Sequence, residues 1–201
     1  MNDADLHHDQ PPRRQDARRN FDRLVAAARE VFEAEGAGAS LDLIARKAGV
    51  GNATLYRHFP TRHALLLAVC TSEVEHLCML GEKLVATRAP LEALESWLRQ
   101  FVTQVRTRRG LAQALMALER ETATATFASC QERIGAVGSR LVANAIKAGA
   151  VAAKTRFDDL FALANAIAVA TESGTSQQAE RMLEILLRGL RATAAGRVTK
   201  A

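Results

Sequence analysis

The 201-residue chain has few aromatic side chains: Trp97, Tyr56 and seven phenylalanines make up only 4% of it. A core must therefore be built from Ala, Leu, Val and Ile. Its three cysteines, Cys70, Cys78 and Cys130, lie far apart with no CxxC spacing. An odd count, with no signal peptide, argues for a reducing compartment, the cytoplasm. No run of apolar residues approaches the length of a bilayer span, and residues 1–15 contain no apolar signal region, so neither a membrane partner nor export is expected. Period-two alternation is missing, which argues against strands. Prolines stop at Pro90, leaving a long Ala- and Leu-rich C-terminal stretch free of the strongest helix breaker. The chain also lacks a Gly-rich phosphate loop, HExxH, GxSxG or a paired carboxylate–histidine set, and Glu119, Glu121 and His76 form no recognisable site. No catalytic residue, cofactor or metal site is assigned, and His7–His8 read as part of a solvated tail.

What remains is an all-α protein. Hydrophobic residues make up 48% and charged residues 24%, ordinary for a globular chain. A chain of this length buries about 70% of its unfolded surface. The net charge of +5 permits an anionic partner without naming one. Residues 1–17 read as a flexible polar tail, 18–64 as a first domain and 65–201 as a second. About nine helices are expected, over 17–35, 41–48, 52–59, 61–86, 91–107, 109–120, 124–148, 156–173 and 177–195. Phe21, Val25, Ala28 and Phe32 fall on one face of the first helix.

Helices 41–48 and 52–59, joined at Gly49-Val50-Gly51, have the form of a helix-turn-helix. Ser40 is a candidate N-cap for the former, and Thr61 caps the helix after Pro60. Ile44, Ala45 and Val50 would pack the pair together, and Gly49 can take the left-handed conformation at the corner. The short residues Gly51, Asn52, Ala53 and Thr54 then project at a helix N-terminus, as a major-groove reader requires.

The segment from Ser40 to Phe59, SLDLIARKAGVGNATLYRHF, with Arg62 and Ala64-Leu65-Leu66 after it, closely resembles the DNA-binding signature of TetR/AcrR-type transcriptional regulators. The helix before it fits as well, with Ala27, Phe32 and Gly36 at expected places. The likeness covers residues 18–70, and Arg108-Arg109-Gly110 looks like the subset with an SbtR-like C-terminal half. The resemblance implies that Tyr56 and Arg62 contact backbone phosphate, Arg62 at a position where the family usually has lysine. It implies that Asn52 and Thr54 read base edges or phosphate. Ser40, Arg57 and His58 have phosphate contact and a local role as competing assignments. Gly51 stands where the family often has serine, so the serine's cap or phosphate bond is missing there or passes to Asn52.

The resemblance also implies a homodimer on double-stranded operator DNA, near-palindromic, and a small-molecule effector. Some apolar faces of the last two helices must bury outside the subunit, and the expected interface is Phe161, Ala164, Ile167, Ala168, Met182, Leu183, Leu186, Leu187 and Leu190, with Ala162, Ala166 and Ala170 permitting close approach. Candidate effector-binding residues are His76, Met79, Trp97, Phe101, Met116, Phe127, Cys130 and Asn165, with plain core packing as the competing reading. The leading expectation is a ligand-responsive repressor. A regulator without an effector is the alternative, and a helical small-molecule enzyme has no residue pattern behind it.

Overall fold

The computed structural model describes residues 12–107 and 120–195, with side-chain surroundings from 15 to 107 and from 128 to 191. Eight helices occupy the described residues: α1 (Pro12–Glu35), α2 (Leu41–Ala48), α3 (Asn52–His58), α4 (Arg62–Thr87), α5 (Pro90–Thr107), α6 (Arg120–Lys147), α7 (Phe157–Ala170) and α8 (Ser176–Ala195). The all-α expectation holds. The helix expected over 109–120 lies, apart from its last residue, outside the described residues. Two boundaries differ from expectation. α1 begins at Pro12 rather than residue 17, since proline suits the first turn of a helix, where its missing N–H is not needed. The break expected near 122–126 does not occur: α6 runs through those threonines, whose propensity cost is small against a 28-residue helix.

The chain divides into two compact units between Val69 and Cys70, inside α4. In the first, Leu24, Val25, Ala28, Val31 and Phe32 of α1 face Ile44, Ala45 and Ala48 of α2, with Leu55, Phe59, Leu65, Leu66 and Val69 completing the core. α2 ends in a Schellman turn. Gly49 sits at φ 64°, Val50 N–H donates to Ala45 O, and Gly49 N–H donates to Arg46 O, at 3.0 Å each. As expected, Thr61 Oγ1 caps α4, accepting from Ala64 N–H at 3.1 Å.

The second unit gathers the few aromatic rings. Trp97 and Phe101 stack at 6.0 Å, and Phe157 and Phe161 close the cluster at 4.7 to 5.9 Å from their neighbours. The buried Trp97 indole donates Nε1–H to Leu77 O of α4 at 3.0 Å. Around this cluster pack Leu94 and Leu98 of α5, Val137 and Leu141 of α6, Ala164 and Ala168 of α7, and Leu183 and Leu187 of α8. α4 is long and apolar enough by composition to cross a bilayer, with mean hydropathy 1.4 over 18 residues. One side of it is buried: Leu65, Leu66 and Val69 enter the first core, and Leu77 and Leu84 enter the second.

On the surface of the second unit, α5 and α8 are joined by charge. Arg191 forks onto both Glu95 oxygens at 2.7 Å, and Arg99 reaches Glu184 at 2.9 Å and pairs with Glu180. The Arg188 and Arg99 donors hold the Glu184 carboxyl below the usual carboxylate range. Its contribution to stability is complete above the ordinary carboxylate pKa and fades as pH falls through the depressed folded value. Acidification from neutral pH should therefore lower the melting temperature of the wild type by more than that of Glu184→Gln, and added salt should shrink the difference. Equal pH profiles would show that the network does not stabilise the fold.

Two glycines on α6 give a paired test of packing. A Cβ on Gly138 would overlap the Phe157 ring, whereas one on Gly135 meets nothing within 4 Å. Gly138→Ala should cost about 1–3 kcal/mol, whereas Gly135→Ala should gain up to about 1 kcal/mol from helix propensity. Thermal unfolding of the two variants should move the melting temperature in opposite directions.

Candidate nucleic-acid interface

α3 is seven residues long and anchored by Leu55, which is 1% exposed. Around that anchor Gly51, Asn52, Ala53, Tyr56 and Arg57 are exposed, and Thr54 and His58 are half-buried. Tyr56, the fifth residue of α3, is 49% exposed, a large ring left in solvent. Arg57 makes no ion pair among the described residues. Gly51 occupies the N-cap position with extended backbone, and its carbonyl accepts from Thr54 and Leu55 N–H at 2.9 and 3.1 Å.

Several side chains hold this surface rather than form it. Asn52 Nδ2 donates to Asp42 Oδ1 at 2.8 Å, tying the start of α3 to the first turn of α2. Its amide is thereby oriented, with its oxygen left to accept from a ligand and its second N–H left to donate. Ser40 is exposed at the N-cap of α2 and makes no side-chain cap bond. His58 packs edge-on against Phe21 at 6.3 Å, beside a Phe21–Phe59 contact at 5.0 Å. Arg23 Nη2 donates to Gly49 O at 3.2 Å, and Lys47 pairs with Glu30 at 2.8 Å, lowering the Glu30 pKa.

Arg62 departs most from expectation. Its Nη1 donates to Ala37 O at 3.0 Å and to Ala39 O at 2.5 Å, from a half-buried position. Through Nη1 the guanidinium closes the loop between α1 and α2. The reason lies in the loop: residues 36–39 leave carbonyls without helical partners, and a cation at the start of α4 satisfies them. Arg23, Asp42 and Arg62 are thus three supporting residues whose roles depend on long-range contacts that no local spacing signals.

The amino-terminal part of the chain, residues 24–69, matches the family model "Bacterial regulatory proteins, tetR family", and residues 89–192 match "Transcriptional regulator SbtR-like, C-terminal domain". A TetR transcriptional regulator from Streptomyces coelicolor is 37% identical over 85% of this chain and 98% of its own, with a TM-score of 0.72. The chain belongs to the TetR family of bacterial transcriptional regulators. A second TetR regulatory protein, from Mycobacterium vanbaalenii, is 34% identical over 90% of this chain and 99% of its own, with a TM-score of 0.73. The regulator RolR, solved with resorcinol, is 19% identical over 94% of this chain and 97% of its own, at a TM-score of 0.57, and shows the fold alone. No curated protein matches the chain.

In this TetR-family regulator the α2–α3 unit is the DNA-binding helix-turn-helix. The expected effector residues do not form one enclosed site. Trp97 and Phe101 are fully packed in the aromatic cluster, whereas His76, Met79 and Asn165 are exposed. Cys130 is half-buried, and burial raises the pKa of both its thiol and that of Cys78. Met116 and the Phe127 side chain lie outside the described residues. Sequence reasoning passed over a buried polar pair. Gln104 of α5 donates Nε2–H to the Glu73 carboxylate of α4, each residue is 7% exposed, and Gln104 Oε1 has no hydrogen-bond partner among the described residues. A signal was present. Glu73 continues the stripe Val69, Leu77, Leu84, and Gln104 continues Leu94, Trp97, Phe101, so both are polar residues at core positions.

The expected dimer residues also divide. Ala164, Ile167, Ala168, Leu183, Leu187 and Leu190 belong to the subunit's own core, and Phe161, Met182 and Leu186 lie at its edge. α7 and α8 have a second apolar side instead. Leu163, Val169 and Ile185 are 51%, 57% and 71% exposed, and Ala162, Ala166 and Ala170 are exposed beside them.

The geometry of Arg62 changes what its removal should do. Arg62→Ala should lower the melting temperature by loosening the α1–α2 loop, and should weaken specific and non-specific DNA binding alike. The slope of log affinity against log salt should stay at its wild-type value. A slope smaller by about one would restore Arg62 as a phosphate-binding residue.

Proposed function

We propose that this regulator is a cytoplasmic, ligand-responsive repressor without catalytic activity, which binds a near-palindromic operator as a homodimer. The observation that carries the reading is the outward surface of α3: exposed Tyr56 and Arg57 flank the short residues Gly51, Asn52, Ala53 and Thr54, a shape a major groove accepts. Tyr56 and Arg57 meet backbone phosphate. Thr54 and the Asn52 oxygen read base edges, and Ala53 lies against a base methyl group. Ser40 and the Gly51 turn approach backbone phosphate, and His58 stays with its packing role.

The exposed apolar side of α7 and α8 supports the homodimer. Leu163, Val169 and Ile185 are costly to leave in water, and Ala162, Ala166 and Ala170 let a partner helix come close. Two copies related by a two-fold axis present their α3 helices to half-sites roughly 34–36 Å apart. The effector is held by the buried Glu73–Gln104 pair, through a hydrogen-bond donor offered to Gln104 Oε1. It shifts the dimer only through its different affinity for the DNA-binding and released states.

Sedimentation and fluorescence anisotropy test the reading together, using the duplex that the wild type selects from a randomised library. The wild type should sediment as a dimer and prefer the selected duplex over a scrambled one. Ile185→Lys, at a solvent-exposed position of the protomer, should keep its helicity, sediment as a monomer and lose at least about tenfold in specific affinity. A monomeric wild type, or an Ile185→Lys protein still dimeric at wild-type strength, would sink the assignment.

A further inference from the structure

α1 is 24 residues long, yet the first buried residue among its described side chains is Leu24. Of the described side chains before it, Gln15 to Arg19 and Phe21 to Arg23 are exposed and Asn20 is half-buried. Roughly the first half of the helix therefore has almost no core of its own. Helices without an apolar contact are marginal in water, so this half is carried as an extension of the packed half. Its composition is one-sided. Between Pro12 and Arg23 the backbone carries Arg13, Arg14, Arg18, Arg19 and Arg23 against Asp16 and Asp22. Asp16 is engaged by Arg19 at 3.0 Å, and Arg18 makes no ion pair among the described residues.

The extension leaves the first unit at the edge of the helix-turn-helix. Phe21 lies against His58 at the end of α3, and Arg23 holds the Gly49 carbonyl at the α2–α3 corner. At 1.5 Å per residue the dozen residues from Pro12 to Arg23 span roughly 18 Å, about half a turn of duplex DNA. We propose that this basic half of α1 is a second DNA-contacting element, which grips the phosphate backbone outside the base pairs lying under α3. The proposal rests on the DNA-binding reading of α2–α3. Two features select duplex DNA as the occupant. The element continues the helix-turn-helix surface, and its positive charge complements a polymer with one negative charge per roughly 1.7 Å. It offers no apolar stripe by which to enter a lipid surface, since its one large apolar side chain, Phe21, is turned to His58 and Phe59.

The test uses the full-length protein, the selected duplex with about ten further base pairs on each side, and the same duplex trimmed of them. Wild-type affinity should fall on trimming. The variant R13A/R14A/R18A/R19A should bind the long duplex about tenfold more weakly and match the wild type on the trimmed one. Its salt slope should be smaller by about two per dimer, since each phosphate that is no longer neutralised removes about 0.9. Alanine is the best helix former, so the fold should persist, and an unchanged melting temperature establishes this. The charge-preserving R13K/R14K/R18K/R19K should retain the wild-type slope. Specific wild-type binding with an alanine variant of equal slope and equal weakening on trimming would overturn the arm alone. So would a lysine variant as weak as the alanine one. A wild type that binds no duplex above the scrambled control would overturn the arm and the DNA-binding reading together.

Discussion

A seven-residue helix cannot hold itself together in water, because its few hydrogen bonds do not repay the cost of nucleation. Every part of the DNA-binding unit answers that constraint. Leu55 anchors α3 from beneath, and Phe59 accepts the end of the helix into the same core. Asp42 holds Asn52, the left-handed residue Gly49 sets the corner, and Arg23 fastens that corner to α1. Arg62 closes the loop on the far side of α2. Polar side chains that look available for a ligand are in several cases already engaged in placing the ones that are.

The second unit solves a different problem with the same economy of residues. Small and aliphatic side chains fill most of its core, and four of the chain's nine aromatic rings are placed together where α5 meets α7. Gly138 admits the Phe157 ring against α6. One hydrogen bond, from the Trp97 indole to Leu77 O, satisfies the only polar atom of the largest side chain. The Glu73–Gln104 pair is buried in the same unit, and so is Thr171, whose hydroxyl donates back to Ile167 O of α7 at 2.7 Å.

Much of this was legible in the sequence for physical reasons. The helix-turn-helix is local: a glycine at the corner, a proline after the second helix, and apolar residues at helical spacing fix it within twenty residues. The Thr61 cap and the all-α class follow from the same short-range chemistry, whereas Ser40 holds the N-cap position without a side-chain bond. What escaped was long-range. Nothing near Arg62 announces that two loop carbonyls wait for it, and nothing near Asn52 announces Asp42. α7 and α8 are apolar on two sides, and periodicity alone could not separate Ala164 and Leu183, which face inward, from Leu163 and Ile185, which face outward. Residue type alone points to exposed side chains such as His76 and Met79, whereas the buried Gln104 is marked by its position in a core stripe.

The contact between α8 and α5 joins residues nearly a hundred positions apart, as in the Arg191–Glu95 fork. α8 is made after every helix it covers. Until it docks, the inward sides of α5 and α7 have no lid, and loop closure over that distance must be completed before the contact rewards it. The outward apolar side of α8 thus takes its final orientation only once α8 has docked. A nascent chain carries α2 and α3 complete well before that, so the helix-turn-helix precedes the surface proposed to pair it with a second copy, and the interval between the two is when self-association is most open to error.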